Sequence, residues 1–403
     1  MQERIHFDFN RVINRRSTNS VKWDFCECCF DGDDVLPMWV ADMDFMAPPQ
    51  VVEAVQRVAN HGIYGYSDMP DSYFDAILSW VKRRHGWTVD RDWLSYTPGV
   101  ITGLNVAIQT FTRPGDRVIV QPPVYSPFFH SIEGNGRVPV MNDLVYENGR
   151  YVMDFDHLES QIDERTRMLV LCSPHNPVGR VWSKEELERL GEIACRRDLL
   201  IFSDEIHCDL VFSGHTHIPV ASLSPEVAAR TITGIAPSKT FNIAGLKASV
   251  IITPNEKLRR EFDRAQENTF GLYNANTFAI AASEAAYRHG GPWLDELIEY
   301  LEENVQFTQD FLREQLPSIA ATRPEGTFLM WLDFRGLSMS ASELHDTLLC
   351  AGKVGLNDGR SFGSGGPGFM RLNIGCPRST LTDGLARIRT AFESKLSQVG
   401  AVK

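Results

Sequence analysis

Short apolar runs rich in β-branched residues recur through the middle of this chain and alternate with stretches of helical period. Strands that alternate with helices in this way indicate an α/β domain built on a mainly parallel sheet. The strand-like runs occupy residues 117–121, 168–173, 199–205, 231–236 and 249–253.

Two of the connecting helices carry their own sequence signals. Ser183 and Glu186 form an S-x-x-E capping box, which predicts a helix that begins there and continues to about Arg197. The second helix is indicated by an apolar face with helical spacing. That face consists of Ile101, Leu104, Ile108 and Phe111.

After about Tyr287 the pattern changes to one long amphipathic helix over residues 294–316, and a smaller C-terminal lobe is predicted to begin there. This lobe contains predicted strands at 327–334 and 369–374, a glycine-rich loop at 359–368 and a closing helix. The expected organisation is an N-terminal segment (1–46) that packs on the small domain and the active site, a large domain (47–286) and a small domain (287–403).

Charge narrows the range of partners. Fifty-two acidic against forty basic residues give a formal charge of −12, which disfavours nucleic acid or an anionic membrane as the main partner and favours a small molecule. The polar N-terminus lacks the apolar run of a signal peptide, and no later run is long and apolar enough to span a bilayer. A cytoplasmic location is therefore expected.

Eight cysteines in a chain of 403 residues, several of them inside apolar runs, are interpreted as reduced thiols rather than a disulfide framework. Cys26, Cys28 and Cys29 are close together, but no further ligands follow at a matching spacing, and no metal is expected. A second group of metal-ligand types is interpreted as loop residues: His207, Asp209, His215 and His217.

Polar residues follow three predicted strands, at the end where an open parallel sheet places its ligand. They stand in S-P-H-N-P-V-G from Ser173, in S-D-E-I-H from Ser203 and in S-K-T-F-N from Ser238. This ordered set resembles the fold-type I pyridoxal-5′-phosphate (PLP) enzymes, the aspartate aminotransferase superfamily, over most of the chain. The resemblance implies PLP as cofactor, a large domain on a mainly parallel seven-stranded sheet and a smaller α+β C-terminal domain.

Three further segments narrow the resemblance to one branch. Residues 38–45 have the sequence M-W-V-A-D-M-D-F, residues 65–67 are G-Y-S, and residues 371–378 are R-L-N-I-G-C-P-R. These segments resemble carbon–sulfur lyases of the cystathionine β-lyase and cystalysin type.

Lys239 is the residue expected to carry the cofactor. A lysine desolvated among apolar neighbours has a lowered pKa, and its free amine can form a Schiff base and later move a proton. The alternative is a surface lysine in a loop, which is disfavoured because the residues around Lys239 follow the order seen in the family.

Asp204 is expected to keep the pyridine nitrogen of PLP protonated; its alternative is a helix N-cap or a salt bridge. His207, three residues later, is a further cofactor-binding candidate where aminotransferases commonly have tyrosine.

Two more residues are assigned to the cofactor and the substrate by the resemblance. Asn176 would donate its amide to the phenolic oxygen of PLP, although Asn before Pro177 is equally typical of a plain turn. Tyr125 would stack on the cofactor ring, because an aromatic face complements an electron-poor pyridinium. Core packing is its alternative.

The phosphate of PLP needs backbone N–H donors at the start of a helix. Gly99, Val100 and Ile101 open the helix of residues 101–111 and are assigned to that role, although a Pro-Gly turn before a helix is common without any phosphate. Ser238 adds a hydroxyl. Relatives often have serine at the position of Ala236 and arginine at that of Lys247. The sequence therefore does not settle the complete set of residues that bind the phosphate.

Arg371 is expected to bind the substrate α-carboxylate, because a planar guanidinium suits bidentate capture of a carboxylate. Its alternative is a strand-edge salt bridge. Tyr66 matches a tyrosine that relatives contribute across a dimer interface to the cofactor site and the chemistry of the neighbouring subunit. The resemblance thus implies a homodimer.

The sequence therefore predicts a PLP-dependent carbon–sulfur β-lyase that converts L-cystathionine or another cysteine S-conjugate into a thiol, pyruvate and ammonia. Lys239 abstracts the α proton, and Lys239 or Tyr66 protonates the leaving sulfur. A PLP-dependent aminotransferase is the nearest alternative, since it uses the same lysine. A non-catalytic regulatory protein on the same fold is the third.

Overall fold

The computed structural model describes residues 7–26 and 34–400, with side chains as far as residue 393. The strands of this part of the chain are β1 Leu36–Pro37, β2 Leu94–Thr97, β3 Arg117–Val120, β4 Val138–Met141, β5 Val145–Glu147, β6 Arg150–Val152, β7 Thr166–Cys172, β8 Leu200–Asp204, β9 Thr231–Ile235, β10 Ser249–Ile252, β11 Ala320–Ala321, β12 Leu329–Asp333, β13 Val354–Gly355, β14 Asn357–Asp358 and β15 Phe369–Asn373. Each of the five strands predicted in the middle of the chain is present to within two residues at either end.

The helices begin and end at residues that the sequence partly signals. They are α1 Pro49–His61, α2 Asp71–His85, α3 Val100–Phe111, α4 Pro127–Gly134, α5 Phe155–Gln161, α6 Lys184–Arg196, α7 Pro225–Ala228, α8 Pro237–Thr240, α9 Glu256–Asn268, α10 Thr277–His289, α11 Gly291–Gln315, α12 Ala341–Cys350 and α13 Arg378–Gly400. The predicted capping box is present at the start of α6, where Ser183 accepts from the N–H of Glu186 and the Glu186 side chain accepts from the N–H of Ser183. No described helix is long and apolar enough to cross a membrane.

A seven-stranded sheet in the order β2-β10-β9-β8-β7-β3-β4 forms the centre of the larger part of the molecule. Strands β9, β8, β7, β3 and β4 run parallel, whereas β10 runs antiparallel to both β9 and β2. The sheet is therefore mainly parallel, as the alternation of strands and helices predicted.

Helices cover both faces of this sheet, which explains why its strands are apolar throughout. Successive residues of β7 point to opposite faces: Leu169 and Leu171 pack with α6, while Met168 and Val170 pack with α3. With the strands fixed between two helical layers, their carboxyl ends meet at one edge of the sheet.

The long helix α11 leads into a smaller α+β lobe around the antiparallel sheet β11-β12-β15-β14. The N-terminal segment packs on this lobe, since β1 pairs in parallel with β13. The N–H of Phe7 donates to Glu296 on α11, and the ring of Phe9 lies 5.6 Å from that of Trp293. The domain boundaries at 46 and 286 stay a prediction.

Five cysteines in the described part of the chain, Cys172, Cys195, Cys208, Cys350 and Cys376, are free thiols, and three of these five are buried. Of the clustered cysteines, Cys26 is buried against Val35 and Leu349, while Cys28 and Cys29 lie outside the described residues.

Candidate active site

A cavity of about 400 Å³ opens at the carboxyl ends of the parallel strands. Nine of the residues predicted for the site line it: Gly99, Val100, Ile101, Tyr125, Asn176, Asp204, His207, Ser238 and Lys239. The fold thus brings together groups that are up to 140 positions apart in the sequence.

One end of the cavity is the N-terminus of α3. Gly99 is the N-cap residue and no side chain caps the helix, so the first-turn N–H groups are available as donors beside the positive end of the helix dipole. Thr102, which the sequence reasoning did not single out, also lines this end, and so do Ser238 and Lys247. Thr102 is the third residue of α3, and a hydroxyl in the first turn of a helix is the signal that could have identified it. The arrangement suits an anionic group.

Asp204 ends β8 and is 3% exposed. Its Oδ1 accepts from the N–H of Ile206 at 3.1 Å, and among the described residues no lysine or arginine forms a salt bridge with it. Burial raises the pKa of this carboxyl to about 7. A positive charge placed opposite Asp204 in the cavity would therefore be strongly favoured.

Lys239 lies on the short helix α8, which directly follows β9. Burial lowers the pKa of its amine to about 8, partly offset by the nearby charge of Asp42. The Nζ atom donates to the backbone carbonyl of Ala41 at 2.6 Å. Sequence reasoning did not identify Ala41, because a carbonyl is common to every residue and leaves no signal.

Arg371 on β15 does not line the cavity itself but lies directly behind Asn176. Its Nη1 donates to Asn176 Oδ1 at 3.0 Å, and its Nη2 donates to the carbonyl of Trp39 at 2.7 Å and to Asn357. The guanidinium lies over the ring of Phe362, and its buried Nε has no hydrogen-bond partner in the described part of the chain. Among the described residues no carboxylate forms the strand-edge salt bridge with Arg371 that was its alternative. Three of the five guanidinium N–H groups are used, so the N–H of Nε and one N–H of Nη1 are left for a ligand.

Asn176 is oriented by the same contact. Because its side-chain oxygen accepts from Arg371, its amide nitrogen is left to donate to another group. Tyr125 packs edge-on against Phe128, with ring centroids 5.8 Å apart, and still presents part of its surface to the cavity. It thus combines core packing with a position beside any bound ligand.

His207 is buried at the cavity wall and packs against Phe328. Burial lowers its pKa to about 3, so the imidazole is neutral at physiological pH. Its Nδ1 has no hydrogen-bond partner within the described residues. A neutral imidazole with a free nitrogen can accept or donate one hydrogen bond to a ligand.

Tyr66 is the one predicted site residue that the fold does not bring near the others. It lies between α1 and α2 and is 100% exposed in the single chain. Ala236, at the position where relatives often carry serine, lines the cavity but offers no hydroxyl.

Two buried carboxylates lie behind the site. Glu205 accepts from His217 at 2.9 Å. Asp209 accepts from Trp80, His85 and Thr240 at 2.8 to 3.0 Å, and despite its burial these bonds hold its pKa below the ordinary value.

One set of potential metal ligands lies close together here, namely His85, Cys208 and Asp209. Since side-chain donors already occupy both Asp209 oxygens, we interpret the set as a hydrogen-bond network that supports the strand ends.

These features together fit PLP. The cavity offers N–H donors for a phosphate at one end, a buried carboxylate for a protonated ring nitrogen at Asp204, and an amine with a lowered pKa for an aldehyde at Lys239.

Comparison with known proteins agrees with this geometry. Residues 33–388 match the family model for aminotransferase class I and II. The chain is 47% identical to cystathionine beta-lyase PatB of Bacillus subtilis, in an alignment that covers 96% of this chain and 100% of that protein. It is 34% identical to Protein MalY of Escherichia coli, in an alignment that covers 96% of this chain and 99% of that protein. The crystal structure of cystalysin from Treponema denticola, which contains PLP, superposes with a TM-score of 0.94 at 37% identity, covering 97% of this chain and all of that one. The chain therefore belongs to the aminotransferase class I and II family and, within it, to the group related to PatB, MalY and cystalysin.

Proposed function

We propose that this protein is a PLP-dependent carbon–sulfur β-lyase that converts L-cystathionine or a related cysteine S-conjugate into a thiol, pyruvate and ammonia. The observation that carries the proposal is the cavity in which the Lys239 amine, the Asp204 carboxylate and the N-terminus of α3 converge. The relatives called cystathionine beta-lyase and the likeness to cystalysin support the choice of reaction.

The chain's own groups hold the cofactor at three points. Gly99, Val100 and Ile101 donate backbone N–H groups to the phosphate, and Ser238 adds its hydroxyl. Asp204 keeps the ring nitrogen protonated, and Asn176 donates its free amide N–H to the phenolic oxygen. When bound, PLP supplies an electron-withdrawing ring that stabilises negative charge at the substrate α carbon.

Lys239 would hold the cofactor through its amine, and in the reaction Nζ accepts the substrate α proton through its lone pair. A pKa near 8 leaves an appreciable fraction of the amine neutral at physiological pH, as a base requires. Lys239 then returns a proton to the leaving sulfur, with Tyr66 as the alternative donor.

Arg371 binds the α-carboxylate. It stays protonated even though burial lowers its pKa to about 10, and its unpartnered Nε gives a charge-assisted bond. Tyr125 and Asn176 hold the bound substrate from the side of the cavity wall.

Tyr66 completes the site of a partner subunit in a homodimer. Its full exposure in the single chain supports this part of the proposal, together with the neighbouring Ile63 and Tyr64, which are 76% and 57% exposed. Large apolar side chains grouped on a surface are typical of an interface.

The test is to assay purified protein for pyruvate from L-cystathionine without any 2-oxo acid acceptor. Pyruvate and a thiol in equal amounts are expected. Turnover that requires a 2-oxo acid would identify an aminotransferase instead. A visible absorbance band from bound PLP that disappears in Lys239→Ala, with no turnover of any amino acid by the native protein, would identify a non-catalytic protein on this fold.

A further inference from the structure

A single segment, residues 39–45, contributes Ala41 to the cavity wall and will be called the strap. Its backbone carbonyls accept hydrogen bonds from side chains of both lobes. Lys239 and Arg371 are two of these donors. These acceptors include Trp39 from Arg371, Val40 and Asp42 from Asn373, Ala41 from Lys239, and Met43 and Phe45 from Asn242. From the N-terminal segment, Arg15 donates to the carbonyl of Met43 at 3.1 Å and Lys22 to that of Asp42 at 3.5 Å. The strap is thus bonded to the proposed base and to the proposed carboxylate-binding residue.

A cluster of charges holds the strap in place. Arg15 donates to both oxygens of Asp42, at 2.9 and 2.7 Å, and to Asp44 at 2.7 Å. Lys22, which is 1% exposed, donates to the other oxygen of Asp44 at 2.7 Å, and Trp23 donates to its Oδ1. Both carboxylates are therefore held by side chains of the N-terminal segment.

We infer that Arg15 and Asp42 are positioning residues for Lys239, because their bidentate ion pair fixes the neighbouring Ala41 carbonyl that orients the Lys239 amine. This inference rests on the proposed function, in which that amine is the base. A neutral amine has two N–H bonds and one lone pair, so an N–H donated to Ala41 restricts rotation about the Cε–Nζ bond and directs the lone pair into the cavity.

The same pair also sets the charge that Lys239 experiences. Four charged groups act on the amine: Asp42 from the strap, Asp204 from β8, Arg371 from β15 and Lys247 from the loop before β10. The neighbouring His207 is neutral. Arg15 at 2.7 Å and Lys22 at 3.8 Å both lie against the Asp42 carboxylate. Because Arg15 and Asp42 carry opposite charges, removing one of them changes the field at Nζ in the opposite sense from removing the other.

The experiment compares Arg15→Met, Asp42→Asn and the double variant. Full-length protein freed of PLP is labelled with acetic anhydride at a series of pH values, and modification of Lys239 is quantified by mass spectrometry. We expect the titration midpoint of Lys239 to rise in Arg15→Met and to fall in Asp42→Asn, each by about half a unit to one unit, and to return close to the native value in the double variant. Midpoints that move in the same direction, or not at all, would overturn the inference.

Activity of the PLP-loaded protein gives the second measurement. For pyruvate formation, kcat is expected to fall about tenfold in Arg15→Met, and the acidic limb of its pH profile to move upward with the labelling midpoint. Arg15→Lys keeps the charge and should keep the midpoint. Arg11 is an exposed arginine of the same N-terminal segment and forms no hydrogen bond with the strap within the described residues. Arg11→Met should therefore leave both quantities unchanged.

The labelling experiment separates this inference from the proposed reaction. If the midpoints shift in opposite directions but the native protein makes no pyruvate, the proposed lyase reaction fails while the positioning of the amine stands. If pyruvate is made and Arg15→Met retains native kcat and midpoint, the positioning role is wrong and the strap is only a structural tie.

Discussion

At the scale of one residue, Asp204 is a buried carboxylate that lowers the stability of the folded protein when no cofactor is bound. Its pKa of about 7 in the folded chain exceeds the ordinary value of 3.8, so the folded state holds this proton more tightly than the unfolded state. The contribution of Asp204 to stability is therefore greatest below about pH 4 and is lost as the pH rises through about 7. Above pH 7 the buried carboxylate is ionised, and no lysine or arginine in the described part of the chain forms a salt bridge with it.

We predict from this that Asp204→Asn stabilises the cofactor-free protein at pH 8 by a few kcal/mol and has a much smaller effect at pH 4. Urea unfolding at the two pH values measures the difference between native and variant proteins. The same variant should lose at least about a hundredfold in lyase activity, because the ring nitrogen is then no longer held protonated. Equal effects on unfolding at both pH values would contradict the pKa assignment.

Arg371→Lys is predicted to raise KM for L-cystathionine by about two orders of magnitude while the absorbance of bound PLP is retained. An ammonium cannot reproduce the planar donors that reach Asn176, Trp39 and the substrate together. Arg378→Lys, on a partly exposed arginine that bonds to Asn304, serves as control and should keep KM within about twofold. An unchanged KM in Arg371→Lys would argue against carboxylate binding.

At the scale of elements, the packing of α3 against the sheet decides where the N–H groups at its N-terminus lie. Gly234 in β9 permits close packing, since a Cβ built there would lie 2.6 Å from the Val100 side chain. Gly234→Val is expected to push the start of α3 away from β9 at a cost of about 1–3 kcal/mol. The dissociation constant of PLP should rise several-fold or more, as measured by titrating cofactor-free protein. Unchanged PLP affinity in a destabilised variant would show that the phosphate contacts do not depend on this packing.

The capping box of α6 is a contrasting case, because it lies away from the cavity. Ser183→Ala removes the acceptor for the Glu186 N–H and is predicted to lower the free energy of unfolding by about 1 kcal/mol with kcat unchanged. Glu188→Gln, in the exposed pair with Lys184, is the control and should change stability by less than about 0.5 kcal/mol. A fall in kcat without loss of stability would be the unexpected outcome.

At the scale of the whole molecule, the proposed sharing of Tyr66 between subunits predicts complementation. Tyr66→Ala and Lys239→Ala are each expected to be inactive, but a heterodimer of the two has one site with both native residues. With one native site of two, the separated heterodimer should have about half of native activity, and the unseparated mixture about a quarter. Differently tagged chains, refolded together and separated by affinity, provide the measurement; heterodimers without activity would place Tyr66 outside the site.

Much of the fold was predictable because burial on both faces leaves a direct record in the sequence. The strands around Leu169 and Phe202 are apolar throughout, and their ends are marked by the polar motifs that begin at Ser173 and Ser203. The direction of β10 was not predictable, because an apolar strand has the same composition whether it pairs parallel or antiparallel.

The sequence by itself determined which chemical groups could act. Lys239, Asp204 and Asn176 are recognisable by type, order and position at strand ends, and Arg371 by its type and by the sequence R-L-N-I-G-C-P-R that it begins. Only the tertiary structure decided how they are held. The carbonyl of Ala41 meets Lys239 across 198 positions, and Trp39 meets Arg371 across 332, through backbone atoms that every residue possesses. Contacts of that kind depend on how the chain packs, so the residue types involved give no sign of them.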